Sequence, residues 1–456
     1  MSRFRPIDRK TAYLLPPSVE DWLPEDHLAR FIVEAMEKLD LSKLTRTYAG
    51  RGSAAYHPEV MLGLLVYGYA TGHFSSRRIE RATYDSVAFR YLAAGHHPDH
   101  DTLATFRRRF LDELADIFVQ VLELAREMKL LKLGTVSLDG TKIHANASRH
   151  SALSYGHIEK LEVQLKAEVQ DLLAQAEKAD QADLPDGIDL PEEIKRRQDR
   201  LAAMEQAKVK IEARAKERYE REQAEYQEKL AKREARATET GKKPTGKPPQ
   251  PPQAGPKPED QINLTDEESR IMKVAGGGFE QCYNAQAAVS GNMLVVATRV
   301  TQAGNDKQQV EPSLTVIATL PATLGRIDKL LVDAGYCSER NIAACEDADI
   351  EPFMAVARED HHPGWRERFT EPALLDADAP PLKKMAHKLK TRSGRKTYAL
   401  RKQTVEPVFG IIKSVMGFRQ FLLRGLKKVT GEWTLACLAW NLKRMAVLRH
   451  QSVQNA

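Results

Sequence analysis

Along the first 130 residues apolar positions recur three or four apart, the spacing of amphipathic helices. The run HPEVMLGLLVYGYATG predicts a helix starting at Pro58, and LADIFVQVLELAREMKLL predicts a second over residues 114–131. Between them SSRRIERATYDSVAFRYLAAG and PDHDTLATFRRRFL read as two shorter helical patterns, broken at Gly95 and Pro98. Their size and rhythm suit a helix-turn-helix. Arg77, Arg78, Arg81, Arg107, Arg108 and Arg109 ride on these helices, where they could meet phosphates or simply form a solvated basic surface.

After Lys132 the pattern changes. Residues 135–138 are β-branched and apolar, a short buried strand expected to deliver Asp139 at its C-terminal end. Ile158, Leu161, Leu165, Val169 and Leu172 then recur at helical spacing, and a highly charged segment follows over residues 192–240. The break DLPDGIDLPEE between them predicts an antiparallel helical hairpin, read as an insertion. Residues 241–261, rich in proline and lysine, predict a solvated, extended linker. Beyond it GGFEQCYNAQAAV and NMLVVATRVTQ form a β-hairpin through Ser290 and Gly291. A helix is expected over 309–320, a buried strand over 329–332 ending at Asp333, and a shorter strand over 352–356. From Lys396 onward the chain reads as basic and helical, with residues 433–448 apolar on one face.

This order predicts an α/β fold that resembles the ribonuclease H-like core, a mixed sheet flanked by helices, with an all-helical N-terminal domain and an inserted helical hairpin. The expected boundaries are 1–130 for the N-terminal helices, 131–155 for the first part of the core, 156–240 for the hairpin, 241–261 for the linker and 262–450 for the rest of the core.

Composition narrows the class. With 42% hydrophobic and 29% charged residues in 456, the chain is globular rather than disordered or fibrous, and long enough for several domains. No run of 18 uncharged apolar residues occurs, and the N-terminus shows no apolar signal core, so a cytoplasmic, non-membrane protein is expected. The four cysteines, Cys282, Cys337, Cys345 and Cys437, are too scattered for a disulfide scaffold or a Cys-X-X-Cys zinc site. The net charge of +6 conceals an uneven distribution. Residues 381–430 hold nine Lys and five Arg against one acid, Glu406, a local +13 that leaves −7 for the remainder. Such a block suits a polyanionic partner.

Cutting a phosphodiester requires charge on the attacking and leaving oxygens to be neutralised. Two divalent cations roughly 3.5–4 Å apart do this when carboxylates on a rigid sheet hold them. Asp139 and Asp333 each follow a buried strand and would share one sheet edge if those strands are neighbours; for either taken alone, turn formation or helix capping is the commoner reason for an acid at a strand end. Glu406 is the more telling acid because everything around it is basic. An ion pair with Arg401 or Lys413 is the plain alternative, and Pro407 allows either an N-cap at Glu406 or a helix running through it. Lys413, seven residues on, shares the helical face of Glu406.

At these residues the chain resembles the bacterial insertion-sequence transposases of the DDE class, in a group with an N-terminal helical domain and a long helical insertion after the first acid. The matching pieces are YHPEVMLGLLVYGY, SSRRIERA, PDHDTLATFRRRF, SLDGTKIHANAS, TDEESRIM, GGFEQCYNAQAAV, LLVDAGYCS and YALRKQTVEPVFGIIK. The resemblance implies that Asp139, Asp333 and Glu406 are the catalytic, metal-holding acids. It implies Mg²⁺ or Mn²⁺, two per site, and double-stranded DNA as partner, bound by a dimer or larger assembly. Around the third acid the family's pattern is Tyr, two residues, Arg, three residues, Glu, six residues, Lys. Tyr398, Arg401, Glu406 and Lys413 match it, with four residues instead of three between Arg401 and Glu406. By the same resemblance Tyr398, Arg401 and Lys413 contact DNA; Arg77, Arg78, Arg107 and Arg108 are expected to bind DNA from their place on the helix-turn-helix-like pair of the N-terminal domain.

Other classes of protein share fragments of this pattern. DGT in SLDGTK resembles the haloacid dehalogenase-type phosphatases, but position 137, where those need a nucleophilic aspartate, is Ser137. His144, Asn146 and His150 read as polar residues at a strand end rather than metal ligands. Asp306 and Asp328 are rivals for the second acid; Asp328 precedes its strand and Asp306 sits in a turn. A DNA-binding protein that has lost catalysis, or a nuclease without strand transfer, would share most of these features.

Overall fold

The computed structural model describes residues 18–48, 54–179, 190–240, 246–356, 370–376 and 378–454. The chain divides into two compact units, residues 1–146, 272–278 and 282–456 in the first, and residues 147–271 and 279–281 in the second. Among the described residues the strands are β1 (Gly134–His144), β2 (Ala152–Ser154), β3 (Gln261–Asn263), β4 (Arg270–Lys273), β5 (Phe279–Ser290), β6 (Val295–Thr301), β7 (Ile327–Val332) and β8 (Glu351–Met354). Six of them form a mixed sheet in the order β4-β5-β1-β7-β8, with β6 also paired to β5. β1 is antiparallel to β5, with Asp139 opposite Ala287, and parallel to β7, with Ser137 opposite Leu331. β6 is antiparallel to β5, and β8 is parallel to β7.

One expectation changes here. Asp139 is not the last residue of its strand, because β5 keeps pairing with β1 as far as His144. Only the parallel ladder to β7 stops at Ser137. Asp139 therefore stands two residues past the end of one ladder while the other holds its backbone. Asp333 directly follows β7, as expected.

The helix Leu426–Gln454 touches β6 and the N-terminal helices Leu28–Glu37, Pro58–Ala70 and Glu113–Glu127. Residues 431–442 are buried on every side, where the sequence suggests a single apolar face. The difference follows from the neighbours. Sheet and helices cover this stretch together, so its polar groups need internal partners. Asn441 supplies one set, accepting from the Val295 amide at 2.8 Å and donating to the Val295 carbonyl at 2.7 Å, which completes the β6 backbone. Trp433 donates to the Gln286 carbonyl at 2.9 Å. The approach is close at Gly431, where a Cβ would lie 2.7 Å from Leu111 Cδ2 and force that side chain to shift.

Pro58–Ala70 starts as the sequence predicts, with Pro58 at its first position and His57 Nδ1 accepting from the Glu59 amide at 3.3 Å. It is apolar almost all round and correspondingly buried from Met61 to Ala70. Its Tyr69 joins a buried polar chain. Arg107 donates to the Tyr69 hydroxyl at 3.1 Å and to the Phe74 carbonyl at 3.1 Å. Tyr69 donates in turn to Glu432 at 2.8 Å, and Glu432 also accepts from the Leu422 and Leu423 amides. Glu432 and Tyr69 are fully buried, and Arg107 is 7% exposed.

In the second unit the helices Tyr155–Ala179 and Leu190–Thr240 pack as an antiparallel hairpin, with Tyr155 bonded to Glu212 at 2.8 Å and Glu168 to Arg197 at 2.9 Å. Ile158, Leu165, Met204, Ala207 and Ile211 form its core with Leu153 of β2 and Ile262 of β3. The break at 180–189 lies outside the described residues, as do residues 241–245 of the expected linker. Residues 246–260 have no regular structure, but they are anchored rather than simply solvated. Asp260 pairs with Arg218 at 2.6 Å, and the Tyr155 and Gly156 amides donate to Asp260 and Pro258. Among the described residues no helix is long and apolar enough to cross a membrane.

The buried chain from Arg107 to Glu432 predicts a large mutational cost. Glu432→Leu removes the acceptor of the Tyr69 hydroxyl and the negative charge that faces the enclosed Arg107, and should destabilise the protein by about 3–5 kcal/mol. Tyr69→Phe should cost about 1–3 kcal/mol by leaving its buried neighbours unsatisfied. Urea unfolding of both variants checks this, and a midpoint unchanged for Glu432→Leu would mean the network carries no stability.

Candidate active site

Asp139, Asp333 and Glu406 converge on one guanidinium. Arg401 Nη2 lies 2.7 Å from Asp139 Oδ2 and 3.8 Å from Asp333 Oδ2, while Nη1 lies 2.8 Å from Glu406 Oε1. The Arg401 side chain is 11% exposed, that of Asp139 16%, Asp333 41% and Glu406 47%, so the cluster opens to solvent on the side of the last two acids. Asp139 also accepts from the Gly140 amide and Asp333 from the Gly335 amide, both at 2.8 Å. Burial pushes the Asp139 carboxyl up to about 6, against the pull of Arg401. For Arg401 burial works to lower its pKa, but the surrounding acids outweigh that and raise it.

Alternation along β1 builds one side of the site. Ser137, Asp139 and Thr141 lie on one face of the strand, and each meets a side chain from residues 401–413. Thr404 donates to Ser137 at 2.7 Å, Arg401 to Asp139, and Lys413 to Thr141 at 3.0 Å. Glu406 is carried by the helix Val405–Gly410, whose first turn contains Pro407, where a missing N–H costs nothing. Val405, Val408 and Ile412 are fully buried and fix this helix. The extra residue between Arg401 and Glu406 has a structural counterpart. Residues Leu400–Gln403 form a 3-10 turn, and Thr404, at φ −115° and ψ −83°, interrupts the helical path. In an unbroken helix positions five apart point in different directions; here the interruption turns Arg401 and Glu406 toward each other. Lys413 lies in the π-helical turn Ile411–Val415, and burial lowers its pKa.

The opposite face of β1 rests on a polar network. Asp306 Oδ1 accepts from Asn284 at 2.7 Å and Gln286 at 2.8 Å, and Tyr336 donates to Gln286. Lys142 Nζ is 3.9 Å from Asp306. Gly140 lies against this network, and a Cβ there would fall 2.1 Å from Gln286 Nε2 and 2.7 Å from Asp306 Oδ1. Asp306 thus supports the segment that carries Asp139, a role its turn position did not suggest. The alternation of Asn284 and Gln286 within an apolar strand was the available signal. Asp328 is away from the cluster, with its nearest cation Arg326 at 3.9 Å.

The remaining expected residues differ in placement. Tyr398 donates its hydroxyl to the Val332 carbonyl at 3.1 Å and packs against Leu331, Phe353 and Leu389, beside Asp333 rather than open to solvent. Arg77, Arg78 and Arg108 are exposed. Arg107 is not; its guanidinium is enclosed with Tyr69, which corrects its expected contact with phosphate. Arg107 lies with Leu103, Phe106 and Phe110 on the buried face of its helix, whereas Arg108 and Arg109 point away from it. His144 ends β1, and Asn146 donates to the Leu422 carbonyl at 2.7 Å.

These features point to the DDE transposases as a class. The family described as transposase domain (DUF772) matches residues 17–109, and that described as transposase DDE domain matches residues 375–446. Both matches support an insertion-sequence transposase of the DDE class, and with it an enzyme that processes DNA. The second match includes Tyr398, Arg401, Glu406 and Lys413, whereas Asp139 and Asp333 lie outside both. No curated protein and no solved structure matches the chain significantly. Transposases of this class typically use a divalent metal, and an all-carboxylate donor set has the right chemistry for Mg²⁺ or Mn²⁺. Among the described residues, however, no three His, Cys, Asp or Glu side chains are gathered into a ready-made metal cage. The acids are gathered around Arg401 instead.

Gly140→Ala should cost about 1–3 kcal/mol, because the new methyl displaces Gln286 from Asp306. A lowered urea midpoint with unchanged slope would register it; full parental stability would mean the network gives way freely.

Proposed function

We propose that the protein is the transposase of an insertion sequence, cutting DNA at the terminal inverted repeats of its element and joining the freed 3′ ends to target DNA. The observation that carries this reading is the convergence of Asp139, Asp333 and Glu406, from three separate elements, on a single cation. The sheet supports a ribonuclease H-like core, since β6-β5-β1 is antiparallel and β1-β7-β8 parallel. Asp139, Asp333 and Glu406 hold Mg²⁺ or Mn²⁺, two per site, which when bound would neutralise charge on the attacking and leaving oxygens. Asp139 is the most fixed of the three, tied by the Gly140 amide and by β5. Asp333 and Glu406, the more exposed acids, face the side from which a phosphodiester enters. Lys413 meets a phosphate near the cut, and Arg77, Arg78 and Arg108 grip the duplex backbone. Joining two ends to one target calls for a dimer or larger assembly, acting in the bacterial cytoplasm at the nucleoid.

Incubation with Mg²⁺ and labelled DNA carrying the element's own ends tests the reading. Asp139→Asn, Asp333→Asn and Glu406→Gln should each reduce cleavage by more than about 100-fold, beyond what removing an outer partner costs, with melting curves showing an intact fold. Undiminished cleavage by one variant would remove that residue from the site, and cleavage without joining would make the protein a nuclease.

DNA affinity should fall steeply with salt. Replacing Arg77 and Arg78 together by alanine should flatten the plot of log affinity against log salt by about 1 for each phosphate that is no longer neutralised. An unchanged slope would take both residues off the DNA.

A further inference from the structure

Arg401 presents a conflict between place and charge. Among the described residues it is the one cation within 4 Å of Asp139, Asp333 and Glu406 alike. A guanidinium cannot lose its charge, so it competes directly with any metal for these oxygens. Three carboxylates against one guanidinium leave about two negative charges, enough to draw in a divalent cation, which would then repel the arginine it joins. The arginine is also imperfectly held, because its Nε is buried with no hydrogen-bond partner among the described residues while both Nη atoms serve the acids. It stands on the 3-10 turn Leu400–Gln403, ahead of the Thr404 interruption and outside the helix that carries Glu406.

We propose that Arg401 is a positioning residue of the metal site, a resident counter-ion that holds the three acids together in the metal-free protein and gives up its place when a divalent cation binds. This rests on the proposed metal site and adds what that reading lacks, an account of how the acids converge without metal. It also reconciles an arginine enclosed by acids with the DNA contact implied by its place in the family pattern, since displacement by metal frees it for a phosphate. Competition of this kind is reciprocal: the cation weakens the hold of Arg401 by the factor with which Arg401 weakens the cation.

The test is a titration of the full-length protein with Mn²⁺, without DNA, followed by electron paramagnetic resonance, together with melting curves in chelator and in saturating Mn²⁺. Arg401→Gln should bind Mn²⁺ roughly fivefold or more tightly than the parent, within the usual range for coupled sites, yet melt at a lower temperature in chelator. The gap between its two melting temperatures should therefore widen. Arg401→Lys keeps the charge without the two-pronged reach, so it should shift both quantities in the same direction by less, and it serves if the Gln variant does not fold. An Arg401→Gln or Arg401→Lys protein whose Mn²⁺ affinity is unchanged or weaker overturns the proposal, since an arginine needed only for structure or for DNA would not tighten metal binding when removed. Asp139→Asn separates the two readings. If it binds Mn²⁺ as the parent does, the metal site itself is wrong; if it does not, and the Arg401 variants show no gain, only the counter-ion role falls.

Discussion

Like charges brought together in a half-enclosed corner repel, and the site of this protein rests on the single guanidinium that offsets the repulsion. Arg401 touches Asp139 from β1, Asp333 from the end of β7 and Glu406 from a helix near the C-terminus. Each acid has a separate backbone support, so the arginine does not have to hold the fold together; it has to make the three supports compatible. Much of the surrounding structure serves that end. Thr404 pins its segment to Ser137, Pro407 lets a helix begin beside Glu406, and the Asn284, Gln286 and Asp306 network stiffens the opposite face of β1.

A second constraint comes from the helix Leu426–Gln454. Its residues 431–442 are enclosed on all sides, and Trp433, Asn441 and Glu432 answer backbone groups that water would otherwise satisfy. Glu432 accepts from the Leu422 and Leu423 amides, and the Leu422 carbonyl accepts from Asn146, just past the end of β1. The N-terminal helices contribute Tyr69 and Arg107 to the same chain. They therefore fall into one unit with the sheet, although the change of periodicity after Lys132 suggests a boundary there.

What the sequence reveals and conceals follows from range. Local patterns carried most elements: the helix at Pro58, the hairpin strands β5 and β6, the short apolar strand before Asp333 and the charged antiparallel hairpin. Glu406 was legible through contrast, as the one acid in a basic block. The extent of β1 was not, because its continuation past Asp139 depends on β5, more than 130 residues away. Nor was the inward turn of Arg107, since exposed and buried arginines look alike until Tyr69 and Glu432 are placed. The ion pair between Arg401 and Asp139 spans 262 residues and has no local trace at all.

That separation has a consequence for how the protein is made. Asp139 emerges from the ribosome long before Arg401 and Glu406, and loops this long close slowly because their ordering entropy falls due before their contacts form. A nascent chain that has not reached residues 401–413 carries both aspartates without the guanidinium that pairs with them. The carboxylate cluster is complete only when residues 401–406 are present, so a chain that stops before them has neither the third acid nor the cation that offsets all three.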